Sequence, residues 1–159
     1  MSPTGKTAAS ADVRIAPGAY YLAGLLVGFA VDLWVWSPVS MPRWLSIWGG
    51  SLALAAGAAV GVAGGLSLRL AGTAFDPMKP TTALVTTGVF RWSRNPTYLG
   101  LTLAYAGIAL LGNSVWPLVL LPVVLALFQR QVIQREERYL ARVFGATYEA
   151  YGRRVRRWM

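Results

Sequence analysis

Pro96-Thr-Tyr-Leu-Gly-Leu-Thr-Leu-Ala-Tyr-Ala-Gly-Ile-Ala-Leu-Leu-Gly112-Asn-Ser-Val-Trp-Pro-Leu-Val-Leu-Leu-Pro-Val-Val-Leu-Ala-Leu-Phe-Gln129 lies within the longest uncharged run of the chain, the 35 residues between Arg94 and Arg130. As one straight α-helix that run would be on the order of 52 Å long, against about 30 Å of hydrocarbon in a bilayer. It must fold back. Gly112-Asn113-Ser114 sits near the midpoint with Pro117 just beyond, which predicts a tight turn between a helix over 96–111 and another starting near Val115. Two further uncharged runs, 17 residues between Arg14 and Asp32 and 25 between Arg43 and Arg69, predict spans over 17–36 and 45–70. The expected fold is an all-α integral membrane bundle of four transmembrane helices, the last two a hairpin, followed by cytoplasmic amphipathic helices.

Composition supports the same reading. The 159 residues are 55% hydrophobic and 13% charged, against about 25% charged in soluble domains. The 15 Lys and Arg exceed the 6 Asp and Glu by nine, which in a soluble chain would raise nucleic-acid binding. Their positions argue for membrane topology instead. Four spans place Lys6, Arg14, Arg69, Lys79, Arg91, Arg94 and the eight Arg from Arg130 onward on one side, 14 against Arg43 alone, whereas three spans would split them six against nine. Cytoplasmic segments carry the excess of basic residues, so both termini and the 71–95 loop are assigned to the cytoplasm. Trp34, Trp36, Trp44 and Trp48 bracket the first outer turn as an aromatic belt would.

The chain reads as a single membrane domain with a mobile polar N-terminus over 1–14, a cytoplasmic loop over 71–95 and cytoplasmic C-terminal helices over 130–159. Short length with abundant Ala and Arg suits a prokaryotic plasma membrane. Gly57, Gly61 and Gly65 recur every four residues, and Gly100, Ala104 and Gly107 make a second smooth face; both read as close helix packing. With no Cys and no His, the chain has no disulfide, thiol nucleophile, zinc-thiolate site, histidine-box iron site or Ser-His-Asp triad. No metal site is expected.

Three polar clusters fall on the cytoplasmic side. Thr81 to Phe90 is an extended, β-branched loop, whose plain reading is a segment lying on the membrane surface. In Arg94-Asn95-Pro96-Thr97-Tyr98, Pro96 opens a helix and Asn95 can cap it. The free N–H groups of such a terminus favour an anion, with Arg94 beside them; a plain cap with a snorkelling Arg is the alternative. Glu136 and Glu137 have no cation three or four residues away, and Glu136 lies in the apolar stripe of its helix. An unpaired buried carboxylate is costly, so a group from another segment, expected to be cationic, should meet Glu136, with Glu137 its solvated neighbour. Finally, Phe144, Tyr148, Tyr151 and Val155 share one face of an interfacial helix, an anchor or else a lid over a cytoplasmic site. Asp32 receives no chemical role.

In order, Ala83-Leu-Val-Thr-Thr-Gly-Val-Phe-Arg-Trp-Ser-Arg-Asn-Pro-Thr-Tyr-Leu-Gly100, a helical hairpin, Glu136-Glu137, and Phe144-Gly-Ala-Thr-Tyr-Glu-Ala-Tyr151 resemble the isoprenylcysteine carboxyl methyltransferase and phospholipid methyltransferase superfamily over roughly residues 75–158. The resemblance implies that S-adenosyl-L-methionine is bound on the cytoplasmic side and that a lipophilic or lipid-modified acceptor enters from the bilayer. It implies cofactor contacts at Thr82, Ala83, Leu84, Val85, Phe90, Asn95, Pro96, Thr97, Tyr98 and Glu136; Arg94, Glu136 and Glu137 are the candidate catalytic residues. Two features depart from the prenylcysteine branch. Asn95 stands where those enzymes usually carry His, and the substrate-facing Arg before the Glu pair is replaced near Val132, leaving Arg130 as its candidate substitute. The Phe-Gly-x-x-Tyr-x-x-Tyr tail, conversely, looks like the prenylcysteine branch.

The expected activity is carboxyl O-methylation of an isoprenylcysteine-like acceptor, because an ionised carboxylate needs alignment but little acid-base help. The alternatives are N-methylation of a phospholipid amine, which needs a proton acceptor, a membrane reductase using NADPH, and a non-catalytic adaptor. Expected partners are membrane lipids and the lipophilic substrate, without nucleic acid; oligomeric state is not legible.

Overall fold

The structure is a computed structural model that describes residues 11, 13, 15–35, 40–74, 76 and 79–159. Residues 1–10, Arg14 and Trp36, to which the N-terminal reading, part of the charge count and part of the aromatic belt refer, lie outside the described residues. Among those described, regular structure is entirely helical: α1 Pro17–Trp34, α2 Gly50–Leu70, α3 Pro96–Leu111, α4 Trp116–Phe128, α5 Gln134–Phe144 and α6 Ala146–Arg154. A π-helical turn, Leu45–Gly49, leads into α2, and a second, Gln129–Ile133, joins α4 to α5.

The expected hairpin forms where Gly112-Asn113-Ser114 predicts it. Asn113 takes φ 50°, the left-handed conformation that a short polar side chain tolerates, and the Ser114 N–H donates to the Ala109 carbonyl at 3.1 Å. Pro residues stand in the first turns of α1, α3 and α4, where a missing N–H costs nothing.

Two antiparallel helix pairs build the bundle, and both depend on glycine. Along α2, a Cβ on Gly57 would stand 2.6 Å from the Gly100 carbonyl oxygen, and one on Gly50 would press on Leu111 and Gly107 of α3. Between α1 and α4, a Cβ on Gly28 would stand 2.6 Å from the Pro117 backbone. The packed face of α2 therefore runs Gly50, Gly57, Gly64, every seventh residue. This corrects the expected Gly57, Gly61, Gly65 stripe: a Cβ on Gly61 would meet nothing within 4 Å, although its backbone lies against Gly100. Two turns of helix separate contacts when two straight helices touch along one seam.

Inside the bundle Tyr21 packs edge to face on Tyr105 and Tyr98 on Phe128, with Tyr21 tilted against Phe128, Tyr21 Oη 2.9 Å from Thr102 Oγ1 and Tyr105 Oη donating to the Pro117 carbonyl. Ala11 and Val13 are buried in this core, so at these two positions the expected mobile N-terminus is corrected: small apolar side chains there complete the packing around Tyr21 and Tyr98.

Among the described residues, three helices are long and apolar enough to cross a membrane, Pro17–Trp34, Leu45–Leu70 and Trp116–Phe144, the pattern of a multi-pass membrane protein. The 16 residues of α3 fall short of that length. The last of the three runs for 29 residues, on the order of 44 Å against about 30 Å of hydrocarbon. Its surplus is the charged α5, QREERYLARVF, which stands beyond the apolar segment. The antiparallel pairing brings the ends of α2 and α4 and the beginnings of α1 and α3 to one end of the bundle, where α5 and α6 cover them.

Candidate active site

The polar clusters singled out in the sequence converge at that end. A cavity is lined by Ala83, Leu84, Val85 and Phe90 from the loop, by Arg94, Asn95, Thr97 and Tyr98 at the start of α3, by Glu136, Tyr139 and Leu140 of α5, and by Tyr148 and Tyr151 of α6. Nine of the expected site residues thus share one wall system. The other four do not line it: Pro96 is buried in the first turn of α3, Thr82 is exposed, Glu137 is paired with Arg157 and Arg94 outside it, and Arg130 is exposed.

The loop takes its course from hydrogen bonds to buried partners. Thr73 Oγ1 accepts from the N–H groups of Thr82 and Ala83, at 3.1 and 3.4 Å, and Tyr139 Oη accepts from the Thr81 N–H at 3.1 Å. Thr82 Oγ1 in turn donates to the Gly72 carbonyl. The segment is thereby a fixed wall, a correction to the reading of Thr81 to Phe90 as a surface-lying loop. Gly88, at φ 59°, lets it turn into the short 3₁₀ segment Gly88–Arg91 that seats Phe90.

Among the described residues, no cation pairs with Glu136. Tyr98 Oη donates to Glu136 Oε1 at 2.6 Å, and a neutral phenol replaces the expected cationic partner. Burial pushes the Glu136 carboxyl up to about 7; the Tyr98 hydrogen bond pulls it down and the Glu137 charge adds to the rise. The cations go to Glu137. Arg157 clamps it with two bonds, Nε to Oε1 at 2.9 Å and Nη2 to Oε2 at 2.7 Å, and Arg94 Nη1 lies 3.3 Å from Oε1. Glu137 is 16% exposed, so the expectation of a solvated neighbour is corrected: the wide π turn at Gln129–Ile133 rotates α5 until both carboxylates face protein.

Asn95 occupies the position before α3 but makes no cap with its side chain. Its Nδ2 donates instead to the Arg157 carbonyl at 3.0 Å, which corrects the capping role. The Asn95 carbonyl accepts from the Tyr98 and Leu99 N–H groups at 3.1 and 3.0 Å, and Pro96 has no N–H to offer. Beside it, Arg94 Nε is buried without a hydrogen-bond partner.

The tail residues close the cavity. Gly145, at φ 51°, breaks the helix expected to run through Phe144, Tyr148, Tyr151 and Val155, and α6 folds back. Tyr148 and Tyr151 turn inward; Tyr151 Oη donates to the Phe90 carbonyl at 2.7 Å. Both tyrosines line the cavity. Burial pushes the Tyr151 hydroxyl up to about 12 and raises Tyr148 likewise, with the Arg94 charge opposing both, so both are neutral donors at ordinary pH. Thr73, Tyr139, Leu140 and Arg157 were not legible as site residues; Tyr139, on the buried face of α5 next to Arg138, carried the only available signal.

The residues present fit S-adenosylmethionine by their chemistry. A buried carboxylate and electron-rich tyrosine faces suit its sulfonium and ammonium charges, and the orphaned Arg94 Nε suits its carboxylate.

Comparison with known proteins finds methyltransferase relatives. The family model described as Phospholipid methyltransferase matches residues 45–147. A Protein-S-isoprenylcysteine O-methyltransferase of Saccharomyces cerevisiae is 36% identical over 95 residues, 57% of this chain and 40% of that protein. One of Schizosaccharomyces pombe is 42% identical over 73 residues, 45% of this chain and 30% of that protein. The chain thus spans less than half the length of these relatives. No solved structure gives a significant match.

Proposed function

This chain belongs to the phospholipid methyltransferase family, and on that premise we propose that it is a membrane methyltransferase, using S-adenosylmethionine in the cytoplasmic-end cavity to methylate a lipophilic acceptor. When bound, that cofactor supplies a methyl group activated on a positive sulfur. The observation that carries the reading is the convergence of Glu136, Tyr98, Arg94, Asn95 and the 83–90 loop on one cavity. Four crossings, with α3 as the third and both termini cytoplasmic, complete the proposed topology, since the 14-to-1 division of Lys and Arg needs α3 to count as a crossing.

Each residue has a defined task. Glu136 balances cationic charge in a site shielded from water, and Tyr98 fixes the carboxylate that does so. Arg94, with its buried Nε free of a partner, holds an anionic group. Ala83, Leu84, Val85 and Phe90 supply an apolar wall, and Thr82 and Pro96 act behind it by fixing the loop and the helix start. Tyr148 and Tyr151 exclude water. Arg130, outside the cavity and at the end of the apolar segment, is placed to meet the acceptor's anionic group.

Carboxyl O-methylation of an isoprenylcysteine-like acceptor is the favoured chemistry. The relatives named above carry that activity in their names, and an ionised carboxylate needs no general base. N-methylation of a phospholipid amine is the second reading, favoured by Asn95 in place of His; Glu136, half-ionised near neutrality, would then accept the proton.

The test is incubation of the protein with methyl-labelled S-adenosylmethionine and membranes, followed by lipid extraction and mild base. Label released as methanol identifies a carboxyl ester. Base-stable label on a lipid amine selects N-methylation, and no label in either fraction overturns the methyltransferase reading.

A further inference from the structure

Val155 leaves α6 with φ −119° and ψ 129°, and the extended residues after it cross the segment that leads into α3. There the Arg94 N–H donates to the Arg156 carbonyl at 3.0 Å. Ser93 Oγ and Asn95 Nδ2 both donate to the Arg157 carbonyl, at 3.2 and 3.0 Å. The Arg157 side chain continues to α5, where its two bonds to Glu137 bring in Arg94 through the shared carboxylate. Trp158 Nε1, at 3.4 Å from Gln129 Oε1, extends the strap to the π turn.

One residue thereby joins three parts of the chain that bilayer packing does not hold together. Its carbonyl fixes Asn95, and its guanidinium fixes α5 and, through Glu137, Arg94. Arg94 and Asn95 are walls of the cavity, and α5 carries Glu136 into it. Gly152 backs Arg94 from the other side: a Cβ there would stand 3.2 Å from Arg94 Nη1.

We propose that Arg157 is a positioning residue for the cofactor site, a clasp that holds Arg94, Asn95 and α5 closed around the cavity and whose release opens it. The planar fork matters, because a lysine ammonium keeps the charge but cannot engage both carboxylate oxygens in the same way. The identity of what fills the cavity rests on the methyltransferase reading; the closure is a property of the chain without ligand.

Because the chain has no Cys, a single introduced thiol reports opening. Ala83→Cys places it on the cavity wall, and Ala109→Cys, at a fully buried position of α3, reports loosening of the whole bundle. In full-length protein in nanodiscs, labelling of each thiol by a water-soluble methanethiosulfonate is timed with Arg157, Arg157→Gln and Arg157→Lys. The clasp predicts at least tenfold faster labelling at position 83 with Gln, an intermediate rate with Lys, and no change at 109. Equal rates at 83, or equal acceleration at both positions, overturn it. Should Arg157→Gln not fold, Arg157→Lys against the unaltered residue decides alone: an equal rate at 83 overturns the clasp. Binding of S-adenosylhomocysteine to unaltered protein tests the functional reading separately, so each fails on its own readout.

Discussion

Tyr98 and Glu136, 38 residues apart, are joined by a 2.6 Å hydrogen bond from the first turn of α3 to the first turn of α5. The Tyr98 ring also stacks edge-on against Phe128, centroids 4.9 Å apart. A buried carboxylate at the edge of the site is thus anchored to the aromatic core of the bundle. Its ionisation is set by that core, and the first predictions follow from this coupling.

Glu136→Gln is expected to weaken binding of the methyl donor at least tenfold at pH 8, about 1.4 kcal/mol or more. Burial raises the carboxyl of the free protein to about 7, so a cationic ligand has to ionise it. Affinity should therefore rise between pH 6 and pH 8 in the unaltered protein and stay flat in the variant. Calorimetric titration at the two pH values checks this, and a Gln variant of unaltered affinity would remove Glu136 from the site.

The same carboxyl makes stability fall with pH. Its folded value lies above its unfolded one, so the folded state binds the extra proton. The stabilisation is complete below the unfolded value near 4.5 and is lost as pH rises through about 7. The full effect is on the order of 3 kcal/mol. Thermal melts of ligand-free protein from pH 5 to pH 8 should show the decline, and Glu136→Gln should remove it. Tyr98→Phe, which deletes the bond that lowers the carboxyl, should move the midpoint to higher pH.

Gly57→Ala and Gly61→Ala separate the two glycine registers. A Cβ at 57 would stand 2.6 Å from a backbone oxygen of α3, and one at 61 would meet open space. The first should cost about 1–3 kcal/mol through forced separation of the helices, and the second should be neutral or slightly stabilising. Unfolding of both variants in detergent provides the comparison, and equal losses would restore the four-residue register.

Arg130→Ala should raise the KM of the lipophilic acceptor several-fold while leaving the affinity for the methyl donor unchanged, because Arg130 is exposed and outside the cavity. Steady-state kinetics with each substrate varied in turn tests the split. A loss confined to the methyl donor would place Arg130 at the wrong site.

Much of the molecule was determined by the sequence alone. The uncharged runs, the Gly112-Asn113-Ser114 turn and the Pro residues at helix starts set the helices and their ends, because a bilayer-length apolar run and a residue without an N–H act locally. The same holds for the gathering of the 83–90, 94–98 and 136 clusters at one end, which follows from the parity of the spans.

Only the tertiary structure decided which surfaces meet. The glycines of α2 look alike in sequence, but packing against α3 buries Gly50, Gly57 and Gly64. The adjacent carboxylates Glu136 and Glu137 differ in partner because the π turn fixes the rotation of α5: one receives a phenol from α3, the other two guanidiniums from α3's approach and the tail. The tail itself was readable only as an amphipathic pattern. Its carbonyl contacts to Ser93 and Asn95 are backbone interactions between distant segments, and no side-chain pattern encodes them.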